Sequence, residues 1–314
     1  MHTSDAMVLP SCHTRHRAPL SRRATSHTRS GLAGALLCLA AFLVACGDHG
    51  SSAAPSAKTG ADQAPAKAQI EALRQAFIPI DPTATSDKQY EWREARRKLL
   101  LELERGPQTL AAPAIEAFQK EVDGRDDWRS ALLSVAAHTD RELARPLLEK
   151  LCLFYDGVTG LGVRTEAMRL WCETSPAPAV KLLQPILLQP RPSITYPPKE
   201  QMLRHWINAA RSIRQPIDVT LATIATDITQ PADARYVAVD ELALEKGSSI
   251  GAKALETVLV ESGSDGMLRR KAAQAMRGAL SREDLCAILT RISEHESDAT
   301  FLYFLDDMLQ KNCR

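Results

Sequence analysis

The side chains able to do chemistry are few and scattered. Residues 68–314 hold three histidines, His138, His205 and His295. None has a second imidazole four residues away, the helical spacing that puts two rings on one metal ion, so His295-Glu296 stands alone. Gly263-Ser264-Asp265-Gly266 lacks the Gly-x-Ser-x-Gly spacing and the preceding apolar strand that present a nucleophilic hydroxyl, and reads as a loop between helices. Asp123, Asp126 and Asp127 crowd one segment without the ligand spacing of a calcium-binding loop. They suit a helix start, where free N–H groups and the positive dipole end attract carboxylates. No catalytic set, metal site or cofactor site is expected.

The elements that carry these residues are helical in pattern. Leu110–Phe118, Leu143–Leu153, Val180–Leu188, Val219–Ile228, Ala254–Val260 and Leu285–Ile292 each repeat apolar residues three and four apart, which lines one helix face. Short breaks separate them at Gly106-Pro107, Asp123-Gly124, Ser175-Pro176, Gln230-Pro231, Gly247-Ser248 and Ser262–Gly266. Aromatics are only 5% of the chain, and alternation suited to a strand occurs only near Ile194–Tyr196. An all-α fold follows.

The first 45 residues have a different character. Arg15, Arg17, Arg22, Arg23 and Arg29 precede an uncharged apolar run from Gly31 to Ala45, too short for the roughly 20 residues that span a bilayer. The run ends in Leu43-Val44-Ala45-Cys46. This order resembles a bacterial lipoprotein signal peptide, which implies cleavage before Cys46 and lipidation of its sulfur. Ser21-Arg22-Arg23 also resembles the start of a twin-arginine export signal, although Ala24 and Thr25 depart from it. In the lipoprotein family an aspartate directly after the cysteine favours inner-membrane retention; Gly47 stands there, which implies the periplasmic face of the outer membrane, with the inner membrane as the alternative.

Removing five arginines and one aspartate with residues 1–45 leaves a chain about three charges negative, not the balance of a nucleic-acid binder. Residues 46–67 are rich in Gly, Ala, Ser and Pro without apolar period and read as a flexible linker, leaving 68–314 as the folded domain. Four cysteines remain there. Pairing Cys152 with Cys172 and Cys286 with Cys313 would join adjacent helices, and buried thiols are the alternative for each pair.

A period of about 35 residues organises the domain. Trp92-Arg93-Glu94-Ala95 matches Trp128-Arg129-Ser130-Ala131 in three of four places, and basic residues recur at Arg93, Arg129, Arg164, Lys199, Arg235 and Arg270. Ala167, Met202, Ala238 and Ala273 follow four of these by three residues. The pattern, best in Asp233–Ala238 with Leu242, resembles the second helix of HEAT-like repeats and covers residues 90–314 at most. The resemblance implies an α-solenoid of about six antiparallel helix pairs, with the basic positions bridging neighbouring repeats. The expectation is a non-enzymatic, membrane-anchored scaffold for a protein partner in the bacterial envelope. Glu261-Ser262 resembles the acid-serine pair of lytic transglycosylases, but the rest of that catalytic domain is missing; the competing expectation is an envelope enzyme acting on peptidoglycan or polysaccharide through a carboxylate pair brought together by folding. The break at Gln189–Pro198 is either a helix connection or a recognition loop.

Overall fold

The computed structural model describes residues 63–121, 126–154, 159–190, 197–261 and 265–313. Cys46, Asp123, Ser262, Ser264 and the Ile194–Tyr196 stretch lie outside the described residues. Among the described residues there is no strand, and fourteen α-helices follow one another: α1 (Gln63–Ala76), α2 (Ser86–Glu104), α3 (Ala111–Lys120), α4 (Asp126–Thr139), α5 (Arg141–Leu153), α6 (Leu161–Thr174), α7 (Pro176–Leu188), α8 (Lys199–Ser212), α9 (Asp218–Thr226), α10 (Ala232–Leu242), α11 (Ser249–Val260), α12 (Gly266–Ala279), α13 (Arg282–Ser293) and α14 (Ala299–Cys313). The chain is all-α.

Helix α5 shows how the pattern becomes structure. Asp140 caps it by accepting the Leu143 N–H at 3.1 Å, and Ala144, Leu148, Leu151 and Cys152 bury one stripe. Each leucine on that stripe contributes about 1.5–3 kcal/mol of burial. Phe154 then turns extended and ends the helix. Asp265 likewise caps α12 through the Met267 N–H, while Asp126 and Asp233 sit in the first turns of α4 and α10.

Two features depart from the sequence expectation. Helix α1 begins at Gln63, inside the segment assigned to the linker. Pro65 is tolerated because first-turn N–H groups have no intrahelical partner, and Ala66, Ile70 and Leu73 supply a buried stripe. Second, Trp92 is partly exposed and α2 buries only Leu103, whereas Trp128 is fully enclosed. The match between Trp92 and Trp128 is one of letters, not of environment.

Packing is serial. Most helices make their main contacts with a sequence neighbour and with the next but one, so α4, α6, α8, α10 and α12 form one row and α7, α9 and α11 lie in a second. The core runs continuously between the rows, from Leu73 to Met308. At the ends, α1 exposes Lys67, Glu71 and Arg74, and α14 exposes Thr300, Asp306 and Gln310. Polar outer faces close the core to water.

Candidate functional site

The even helices begin with buried cations. Arg129, Arg164, Lys199 and Arg235 are 6% or less exposed. At the fifth position the buried residue is Arg269, and Arg270 is only half buried. Arg93 is exposed, and its Nε–H merely donates to the Gln89 carbonyl in its own helix. The reason is helical register. Arg129, Arg164, Arg235 and Arg269 are each the fourth residue of their helix, whereas Arg93 is the eighth in α2 and Arg270 the fifth in α12. One residue turns a side chain by about 100°, so constant sequence spacing does not fix which arginine points inward. Lys199 is the first residue of α8, one turn before the fourth position and on the same face.

These cations link three elements at once. Arg164, Arg235 and Arg269 donate through Nε to the carbonyls of Leu151, Ala225 and Leu259, at 3.0, 2.9 and 2.8 Å, in the last turns of the preceding odd helices. Lys199 reaches the Gln189 carbonyl at 2.5 Å. A cation there meets the negative dipole end and satisfies a carbonyl with no helical partner. The far side reaches forward into the next turn: Arg129 to Thr159 at 3.2 Å, Lys199 to Gln230, Arg235 to Glu261 at 2.9 Å, and Arg269 to Glu296. Burial raises the Glu296 carboxyl, but the Asp298 N–H and the Arg269 guanidinium outweigh it and hold it below the usual range.

The expected cysteine pairs divide. Cys286 and Cys313 are bonded between α13 and α14, with Cα atoms 5.7 Å apart. Cys152 and Cys172 are free, buried thiols; burial pushes Cys172 up to about 12 and Cys152 well above its ordinary value. Neither is a nucleophile at neutral pH.

Folding also joins residues that the sequence separates. On the outer face of α4 and α6, Ser134 donates to Glu104 at 2.5 Å, and the His138 Nδ1–H donates to the Ser134 carbonyl at 2.8 Å. His138 Nε2 faces Glu173 at 3.6 Å. Arg169 holds Glu166 with Nε and one terminal nitrogen, at 2.9 and 2.7 Å, and Glu173 with the other at 2.6 Å. Next to it a groove of about 430 Å³ between α6 and α8 is lined by Cys172, His205, Asn208 and Ser212. Burial first, and the Arg169 charge second, lower the His205 pKa against the pull of Glu166. The missed signal was the repeat itself: His138, Glu173 and Asn208 follow one another at 35 residues.

His138 Nδ1 is committed to a backbone carbonyl and the Ser134 proton to Glu104, so the ring is not the base of that hydroxyl. Elsewhere among the described residues, the carboxyls of Asp227, Asp265 and Glu296 are held below their ordinary range by hydrogen bonds. Among the described residues no three of His, Cys, Asp and Glu gather as a metal set, and no helix is long and apolar enough to cross a membrane. No protein family, curated protein or solved structure matched this chain.

Proposed function

We propose that this chain is an exported lipoprotein acting as a scaffold for a protein partner in the bacterial cell envelope. Cys46 carries the lipid and anchors the protein at the periplasmic face of the outer membrane, with the inner membrane as the alternative. The helices form an α-solenoid of HEAT-like pairs, whose long outer face of even helices receives the partner. The observation that carries this reading is the serial contact order. It makes an extended surface of residues one repeat apart, and the buried cations serve stacking, leaving the Glu104–His138–Arg169–Asn208 face open.

Two measurements test it. Intact mass of the membrane-extracted protein is expected to show a mature start at acylated Cys46, with Cys46→Ser abolishing both modification and membrane retention; an unmodified Cys46 would overturn the anchor. A photo-crosslinker at Asn208 is expected to trap one partner in envelope membranes that the same group at exposed Lys253 on α11 does not. Equal trapping from both positions would sink the proposed face.

A further inference from the structure

The last helix pair is attached unlike the others. α9 and α11 pack along each other, as do α10 and α12, whereas α13 makes at most marginal contact with α11 and α14 only brief contact with α12. In place of that packing lies a cleft of about 340 Å³ lined by Glu256, Val260, Arg291, Ile292 and His295. Arg291 crosses it to pair with Glu256, its side chain 59% exposed. Cationic contacts accompany the buried Phe301, Leu305 and Met308 at the remaining attachments. The Arg269 guanidinium lies 3.8 Å from the Phe301 ring centroid and pairs with Glu296, and Arg270 lies 5.7 Å from the Phe304 centroid.

Within the pair the balance reverses. α13 and α14 pack extensively and are joined by the Cys286–Cys313 bond, while only Leu280 and Ser281 link α13 to α12. The apolar core continues into the pair through Phe301, Leu305 and Met308, but helices that touch only briefly, with an exposed ion pair across the gap, part more readily than helices packed along their length. The stapled pair is thus a cooperative unit on a weak junction.

We propose that α13–α14 is a hinged terminal arm, swinging as one body about Leu280-Ser281, with the Arg291–Glu256 pair as the strap across the cleft between α11 and α13.

Hydrogen exchange of the full-length protein, extracted in detergent, tests it. The amides of α13 and α14 are expected to exchange at one common rate, about ten-fold or more faster than those of α10 and α12. Arg291→Gln is expected to speed the arm about two- to five-fold and leave α10 and α12 unchanged, as loss of an exposed pair predicts. Sodium chloride at 1 M should accelerate the wild-type arm by screening the strap, and the variant's arm less. Exchange of Leu305 and Met308 in step with α12 would overturn the proposal, as would fraying of α14 ahead of α13, or an arm indifferent to Arg291→Gln.

Discussion

At Gly160 the backbone entering α6 passes so close to Asp126 that an added Cβ would lie 2.4 Å from Oδ2. Asp126, the first residue of α4, thus sits against the N-terminal turn of α6 as well, where the dipole favours a carboxylate. Gly160→Ala is expected to cost no more than about 1 kcal/mol in urea unfolding, because the exposed Asp126 side chain can turn aside, and Asp126→Ala in the same chain should remove that cost. Lys199 offers a pH signature. Burial lowers its amine to about 8 in the folded protein, against the pull of Asp227, while the unfolded chain keeps the ordinary 10.5. Between those values the unfolded state binds more protons, so stability rises with pH. Below about 8 both states are charged and the Lys199 contribution is at its minimum. The unfolding midpoint of wild type relative to Lys199→Met should therefore climb from pH 8 to pH 10; a flat difference would refute the shift.

Among the helices, the position of a cation within its own element decides its role. Arg269 ties the end of α11 to Glu296 before α14, and removing it leaves the Leu259 carbonyl without its side-chain donor and the Glu296 carboxylate without its cation, although the Ser297 and Asp298 N–H groups still donate to it. Arg269→Met is expected to destabilise by about 3–5 kcal/mol, the cost of breaking a buried pair from one side. Arg93→Met should stay within about 0.5 kcal/mol, because that side chain is exposed on α2. Chemical denaturation of the two variants checks this; equal losses would mean that sequence spacing, not helical register, governs the ladder.

For the whole molecule, the described residues hold one bonded pair, Cys286–Cys313, beside the free Cys152 and Cys172. Residues 63–313, denatured without reductant, are expected to titrate two thiols, and four after reduction. Detection of no thiol before reduction would place a second bond between Cys152 and Cys172.

The all-α class and the approximate course of helices such as α3 and α5 were legible in the chain, because the three-and-four spacing of residues such as Leu143, Leu148 and Leu151 is local information; about six helix pairs were expected, and fourteen helices are described. The arginine spacing exposed the repeat but mistook Arg270 for Arg269 and included Arg93, since a turn of 100° per residue is lost when only distances along the chain are compared. Only tertiary structure brought Glu104, Ser134, His138, Glu173 and Arg169 together, bonded one expected cysteine pair and left the other reduced. Those outcomes depend on how neighbouring helices cross and how deeply they bury, which no single segment encodes.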